Sequence, residues 1–244
     1  MAQPKVFLGI GHGGSDPGAV ANGFEEEDLN LAIGIACSDE LVRHGVAVMM
    51  SRTKDEDDPM AEVIAECNAF NPDLAADIHN NAGGGDGAEV YHHHGGGNSK
   101  KMAQNILNSI AAIGQNSRGI KTKLRADGRD YYAFIRDTKP PAVIVECAFV
   151  DNKKDLQIID TAAEQKAMGI AIAKGLLQTL GISYKAPAAA SNDYSKHWAA
   201  PAIQSMIDKK IMVGNGAGRF RPNDCITRGE IAQAFDNLLN YLNK

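Results

Sequence analysis

Residues 5–36 read KVFLGIGHGGSDPGAVANGFEEEDLNLAIGIA, and this stretch decides the fold. The apolar segment Lys5–Ile10 is typical of a buried strand, and a polar, glycine-rich loop follows it. Beyond the loop, apolar residues recur at three- and four-residue spacing, which predicts a helix over Phe24–Arg43. A buried strand that leads through such a loop into a helix indicates an α/β domain.

The same alternation continues along the chain. Further short apolar runs predict strands at Val46–Met50, Leu74–Ile78, Ala88–His92, Ile120–Leu124, Tyr131–Ile135 and Ala142–Cys147. Helical spacing predicts the intervening helices at Asp58–Phe70, Asn98–Ile113 and Thr161–Leu180. Strands that alternate with helices imply a mostly parallel, twisted sheet with helices on both faces.

The alternation stops where the composition of the chain changes. Residues 183–191 are mostly small and include a proline, as is typical of a linker, so we expect separate domains at 1–182 and 192–244. In the second segment, Thr227 and Glu230 have the spacing of a helix capping box. We therefore expect a small C-terminal helix–loop–helix module.

The composition of the 244 residues is that of an ordinary globular protein. No apolar run approaches the ~18 residues of a membrane-spanning helix. The N-terminus lacks the features of a secretory signal peptide, so we expect synthesis in the cytoplasm without such a signal. The first 182 residues hold 17 basic against 25 acidic side chains, a poor match for nucleic-acid phosphates.

Several polar side chains lie where the strands of the predicted sheet end, the edge at which α/β proteins bind ligands. His12 follows the first strand, His79 follows the third, and Glu146 lies in the apolar run AVIVEC. Glu26 belongs to the first turn of the first helix. Two imidazoles and one carboxylate form a catalytic zinc site, and a further glutamate beside it can transfer protons. A buried carboxylate is costly unless it is paired or lies near a metal.

Two other patterns suggest different sites. Residues 9–14, GIGHGG, match the GxGxxG signature of dinucleotide-binding loops, but no helix opens at the third glycine and no acidic residue ends the second strand. In the histidine run, strand alternation would place His92 and His94 on one face, yet no carboxylate pattern accompanies them. Nucleotide binding therefore remains a minor alternative, and we interpret the histidines as a strand end and an exposed loop.

Four separated motifs resemble those of the zinc-dependent N-acetylmuramoyl-L-alanine amidases of the amidase-3 type. They occur in that family's order and span about residues 5–182: GHGGSDPGAVANGFEEEDLNLAIGIA, SRTKDED, DIHNNAGGGDGAEVYH and PAVIVECAFVDNKKD. The resemblance implies one zinc ion per catalytic domain, with three ligands, His12, Glu26 (or, as the alternative, Glu27) and His79. It also implies that Glu146 is the catalytic glutamate. The departures from the family pattern, at Asn80 and Ala148, change none of these residues.

Residues 192–244 resemble one S-layer homology repeat. They share its Trp-Ala start at Trp198, its glycine-rich turn ending in Phe-Arg-Pro, and a TRGE segment in place of the usual TRAE. Such repeats commonly act in threes and bind anionic secondary polymers of Gram-positive walls. The resemblance implies wall binding through Trp198 and Arg228, either weakly by one copy or after self-association of several chains. The alternative for Arg228 is that it only braces the start of a helix.

These implications predict a peptidoglycan hydrolase that cleaves the amide bond between N-acetylmuramic acid and L-alanine with zinc-activated water. A phage endolysin that acts at the bacterial wall is the most economical setting, and a bacterial autolysin is the alternative. The remaining alternatives are a zinc endopeptidase of the stem peptide and a non-catalytic wall-binding protein. The expected partners are peptidoglycan and an anionic wall polymer, without nucleic acid or membrane insertion.

Overall fold

The computed structural model describes residues 2–186, 193–214 and 219–242. The chain divides into two compact units, Met1–Tyr184 and Lys185–Lys244. The first is built around a six-stranded sheet, and the second contains two helices. Among the described residues, no helix combines the length and the apolar character needed to cross a lipid bilayer.

The first unit alternates strands and helices, as the sequence predicts. Its strands are β1 (Lys5–Ile10), β2 (Val20–Ala21), β3 (Phe24–Glu25), β4 (Ala47–Met50), β5 (Leu74–Asn81), β6 (Ala88–His92), β7 (Ser117–Lys121) and β8 (Ala142–Phe149). Its helices are α1 (Glu26–Arg43), α2 (Met60–Phe70), α3 (Gly97–Ala111), α4 (Ala133–Asp137), α5 (Lys153–Leu156) and α6 (Ala162–Leu180). The short strands β2 and β3 pair with each other and lie outside the main sheet.

The main sheet has the strand order β4-β1-β5-β8-β6-β7. The pairings from β4 to β8 are parallel, β6 runs antiparallel to β8, and β7 runs parallel to β6. The prediction of a mostly parallel sheet is therefore confirmed, with one change of strand direction at β8. Two facing positions matter for the site, because His79 on β5 lies opposite Glu146 on β8, which in turn lies opposite Glu89 on β6.

Helices cover both faces of this sheet. The larger core packs residues of α1, α3 and α6, such as Ile33, Ile106 and Ile172, against one face. A smaller cluster on the other face joins Phe7 and Phe134 with residues of α2. Successive strand residues point to opposite faces, so alternate positions along each strand belong to one core or the other. The sheet is thus buried between two helical layers. The carboxyl ends of its parallel strands are not covered by these layers and are left for the site.

Three sequence-based assignments differ from the structure. The strand expected at Ile120–Leu124 is β7 at Ser117–Lys121, three residues earlier in the chain. The run Tyr131–Ile135, expected as a strand, belongs to a turn and the short helix α4, where Phe134 and Ile135 are buried against the smaller cluster. Aromatic and β-branched residues favour strands only where a neighbouring strand can pair with them. Helix α1 also begins later than expected, because Phe24–Glu25 pairs with Val20–Ala21 as a hairpin ahead of it.

The second unit contains α7 (Ala200–Asp208) and α8 (Arg228–Leu242). The capping box ahead of α8 is confirmed, since the Glu230 backbone N–H donates to Thr227 Oγ1 at 3.2 Å and the Thr227 N–H donates to the Glu230 carboxylate at 2.8 Å. Helix α8 carries an exposed apolar side, with Phe235 at 62% and Leu239 at 59% exposure. A helix pair of this size has little core of its own.

Candidate metal centre and active site

Three of the predicted site residues meet at one edge of the sheet, beside the N-terminus of α1. His12 follows β1, His79 lies near the end of β5, and Glu26 is the first residue of α1. One nitrogen or oxygen atom from each residue lies within 4.8 Å of those from the other two. The fold therefore brings together the side chains that the resemblance implies as zinc ligands.

The carboxylate of Glu26 lies between the two imidazoles. Its Oε2 atom is 3.3 Å from His12 Nε2, and its Oε1 atom is 3.1 Å from His79 Nδ1. The two rings meet edge to face, with their centroids 5.1 Å apart. The backbone N–H groups of Ala19 and Asn80 each donate to one carboxylate oxygen at 3.0 Å, which fixes the plane of the carboxylate.

The ionised forms of Glu26, His12 and His79 stabilise one another. Burial alone would raise the pKa of Glu26, but the hydrogen bonds with His12 and His79 hold that pKa well below its usual range. The hydrogen bond to Glu26 raises the pKa of His12. Burial opposes charge on His79 as well, yet Asp77 and Glu26 raise its pKa well above the usual value. The site thus concentrates buried negative charge beside two nitrogen donors.

Each imidazole has a second carboxylate at its other nitrogen. His12 Nδ1 hydrogen-bonds to Asp16 Oδ2 at 2.8 Å, and Asp77 Oδ2 lies 3.4 Å from His79 Nε2. Asp77 Oδ2 is buried and has no hydrogen-bond partner among the described residues. Metal-binding histidines usually donate their second N–H to such an acceptor, which fixes the orientation of the ring. With two imidazoles and a carboxylate as donors, the site fits zinc better than magnesium or calcium.

Two glycines leave room for these side chains. A Cβ atom on Gly11 would lie 2.2 Å from the ring of His79, and one on Gly18 would lie 2.7 Å from Glu26 Oε2. His12 itself has a φ angle of +65°, in the left-handed region. That conformation costs a non-glycine residue about 1–2 kcal/mol, and such strain is concentrated at functional sites.

A buried guanidinium that is not predicted from the sequence supports the His12 loop. Arg52 is 2% exposed and donates to the backbone carbonyls of Ile10, Gly11 and Glu27. Its position two residues after the end of β4 was the available signal in the sequence. Glu27, the alternative ligand, is not among the groups that converge with the two imidazoles, and its backbone carbonyl accepts from Arg52 at 2.8 Å. Burial and the negative charge of Asp55 raise the pKa of Glu27.

Glu146 lies opposite His79 on the neighbouring strand, and its side chain is half-buried. Burial raises the pKa of Glu146 to about 7, with Glu26 adding to the rise and His79 opposing it. A carboxyl group that titrates near neutral pH exchanges protons readily with water and amines. The structure therefore places the fourth predicted residue next to the three candidate ligands.

A second buried carboxylate continues the row beyond Glu146. Glu89 is 3% exposed and faces Glu146 across the β6–β8 pairing. Its Oε2 atom accepts hydrogen bonds from Arg118 Nε at 2.7 Å and from Lys121 Nζ. Its Oε1 atom accepts from the Tyr91 hydroxyl at 3.0 Å. Burial would raise the pKa of Glu89, but these hydrogen bonds lower it. This cluster is not predicted from the sequence, although an acidic residue within an apolar strand was its signal.

The histidine run forms a cluster of its own with Asp130, the carboxylate that the sequence pattern did not reveal. Asp130 Oδ2 lies 3.1 Å from His93 Nε2 and 2.7 Å from His94 Nδ1. The Gly95 backbone N–H donates to His93 Nδ1 at 3.0 Å, so Nε2 carries the hydrogen that Asp130 accepts. His93 thus has no lone pair left for a metal, and we keep the interpretation of a strand end and an exposed loop.

Comparison with known families agrees with this geometry. Residues 6–178 match the family model described as N-acetylmuramoyl-L-alanine amidase, and residues 192–232 match that of the S-layer homology domain. The chain belongs to the N-acetylmuramoyl-L-alanine amidase family. Amidases of this family are generally zinc-dependent, and the candidate ligands lie within the matched residues.

Individual amidases show how far the likeness extends. The chain is 32% identical over 188 residues to the amidase CwlM of Bacillus licheniformis, covering 75% of this chain and 72% of that protein. It is 30% identical over 195 residues to the endolysin of Bacillus phage SPP1, covering 78% and 71%. The solved structure of Cwp6 from Clostridium difficile matches with a TM-score of 0.72 and 37% identity, over 73% of this chain but 30% of Cwp6. The amidase AmiC2 of Nostoc punctiforme matches with a TM-score of 0.67 and 25% identity, over 74% and 98%.

Proposed function

We propose that this chain hydrolyses peptidoglycan at the amide bond between N-acetylmuramic acid and L-alanine, with one zinc ion as its cofactor. The observation that carries the proposal is the convergence of His12, Glu26 and His79 within a chain of the amidase family. We assign this activity to residues 1–182. The relatives include a phage endolysin and bacterial amidases, and the same chemistry serves both settings.

The proposed zinc ligands are His12 Nε2, His79 Nδ1 and the carboxylate of Glu26. When bound, zinc polarises a carbonyl group and makes a water molecule more acidic. Asp16 and Asp77 lie at the second nitrogen of each ring and keep the ligating nitrogens directed towards Glu26. The two backbone hydrogen bonds to Glu26 hold the third donor in place before any metal arrives.

We propose that Glu146 transfers the proton in this reaction. Water adds its oxygen to the lactyl carbonyl carbon, and the Glu146 carboxylate accepts the proton that the water gives up. As the carbon–nitrogen bond breaks, the same carboxyl group donates that proton to the nitrogen of L-alanine, which leaves as an amine. The position of Glu146 opposite His79 supports this role, because both side chains emerge on one face of the sheet.

We propose that residues 192–244 bind the wall and that residues 183–191 connect them to the catalytic domain. Trp198 is 89% exposed, which suits contact with a saccharide or polymer. Arg228 opens α8 and has no hydrogen-bond or ion-pair partner within the described part of the chain. A cation at this end of a helix is disfavoured by the helix dipole, so an external anion such as a charged wall polymer would stabilise it. The exposed apolar side of α8 supports self-association of the modules.

The test is digestion of purified Gram-positive walls by the full chain and by Glu146→Gln, with zinc content measured in both. We expect the wild type to release stem peptides with free L-alanine amino ends, and the variant to keep its zinc but lose activity at least ~100-fold. Glu62→Gln, an exposed position on α2, is the matched control and should behave as wild type. New amino ends within the stem peptide would indicate an endopeptidase instead. Bound zinc without cleavage would favour a wall-binding protein, and absence of zinc would contradict the ligand assignment.

A further inference from the structure

We infer that Arg118 and Lys121, on the edge strand β7, form a binding subsite for a carboxylate of the peptide part of the substrate. The inference rests on the proposed function and specifies which peptides the same site prefers. Its ligand is the free carboxylate of an acidic residue that follows the alanine released by cleavage.

The subsite lies in line with the proposed catalytic residues. His79, Glu146 and Glu89 occupy facing positions on β5, β8 and β6, so their side chains emerge on one face of the sheet. Arg118 and Lys121 lie on β7, the next strand beyond. Neighbouring strands are about 4.8 Å apart, so β7 lies roughly 10 Å from the strand of Glu146. An extended peptide advances about 3.3 Å per residue, and the long basic side chains reach back towards it, so the residue after alanine comes within their range.

Arg118 and Lys121 both pair with the one carboxylate of Glu89. Both converge on the same oxygen of this single carboxylate, and Asp86 and Asp155 are the next carboxylates that act on Arg118. Arg118 donates to Glu89 through Nε, and among the described residues its two Nη atoms make no further hydrogen bond. The guanidinium lies over the ring of Phe149, 4.9 Å from its centroid, and its side chain is 36% exposed. Its outer edge is therefore oriented and accessible, and that edge suits a two-pronged contact with a carboxylate.

The other end of the site carries the opposite charge. A cavity of about 450 Å³ beside His12 and His79 is lined by acidic side chains, Asp16, Asp57 and Asp58. An acidic peptide is repelled from this end and attracted towards β7. We therefore expect the peptide to lie across β8 and β6. The acidic cavity beside His12 and His79 is then left for the uncharged sugar.

The test uses two soluble muramoyl peptides that differ only at the residue after alanine, which carries a free carboxylate in one and a primary amide in the other. The specificity constant kcat/KM is measured on both for wild type, Arg118→Gln, Arg118→Lys and the control Arg129→Gln. Arg129 is exposed and paired with Asp127. We expect the wild type to prefer the acidic peptide by about tenfold or more, mainly through KM.

Arg118→Gln should remove this preference, because its kcat/KM should fall about tenfold more on the acidic peptide than on the amidated one, while Lys121 still pairs with Glu89. Arg118→Lys should restore part of the preference, and Arg129→Gln should keep all of it. Equal losses on both peptides, with a lowered melting temperature, would mean that Arg118 serves only to neutralise Glu89. A wild type that cleaves both peptides without preference would overturn the subsite alone. A wild type that cleaves neither these peptides nor purified walls would overturn the proposed function as well.

Discussion

Replacing Gly11 with alanine should disable metal binding without altering any proposed ligand. The added Cβ would lie 2.2, 2.4 and 2.5 Å from three atoms of the His79 ring. The Gly11 backbone has little freedom to retreat, because its N–H donates to the Ile78 carbonyl and its own carbonyl accepts from Asn30 and Arg52. The imidazole must therefore move by about 1 Å to regain van der Waals distance, far more than the ~0.2 Å tolerance of a metal–ligand bond.

We expect the Gly11→Ala variant to lose at least ~100-fold in zinc affinity, since shifting a ligand costs more than the 10–100-fold typical of changes in its supporting residues. Overpacking should also lower the free energy of unfolding by about 1–3 kcal/mol. Zinc at 100 times the wild-type Kd should stabilise the wild type by about 2.7 kcal/mol, which corresponds to roughly 5–10 °C in Tm for a domain of this size. The variant should show almost none of that rise.

The assay is a zinc titration against a chromophoric chelator, together with thermal unfolding with and without the metal. Gly229→Ala is the matched control, because the nearest atom to its added Cβ is 3.9 Å away, and it should bind zinc as the wild type does. Wild-type zinc affinity in Gly11→Ala would refute the assignment of His79 as a ligand in this geometry.

Three further outcomes are expected. Asp16→Asn should weaken zinc binding 10–100-fold in the same titration, because Asp16 contacts the ring of His12. Since Asp16 is exposed, Tm in the absence of zinc should stay nearly unchanged. An unchanged zinc affinity would argue against this supporting role. Glu89→Gln should lower Tm at pH 7 but much less near pH 3. The folded-state pKa of Glu89 is depressed, so its contribution is present above the unfolded-state pKa and is lost as pH falls through the folded-state value; a difference in Tm that does not depend on pH would contradict this. Thr161→Ala should cost about 1 kcal/mol, or 2–4 °C, by removing the capping box of α6, and a denaturant titration without that loss would speak against the cap.

The sequence predicts those elements whose signal is local. The strands β1 and β6 begin and end where the apolar runs do, because both are buried within the sheet. The two-residue strands β2 and β3 and the four-residue helix α5 are too short to show periodicity, and they were missed. The antiparallel direction of β6 depends on which strand it pairs with, and a run of five residues carries no information about that.

The site divides in the same way. His12, Glu26, His79 and Glu146 belong to recognisable motifs, so the sequence could name them before any distance was known. Their supporting groups, such as Asp77, Arg52 and Glu89, are ordinary charged residues in the sequence. Only the fold places these charges against an imidazole, a loop carbonyl or a facing strand, so they could not have been found from sequence spacing.

The reversal of strand direction at β8 also separates the loops of the catalytic unit into two sets. The segments that enter β6 and β7, residues 82–87 and 112–116, lie at the end of the sheet that carries Glu146. The segments that leave these strands lie at the opposite end, with Asp130 and its two histidines. Insertions or exchanges in the first set would change the proposed peptide-binding surface over β8, β6 and β7. Within the described part of the chain, the far-edge segments, residues 93–96 and 122–132, reach the site only through Tyr132, which packs against Tyr91, the residue whose hydroxyl donates to Glu89. The two entry loops are therefore the natural place to begin retargeting the enzyme.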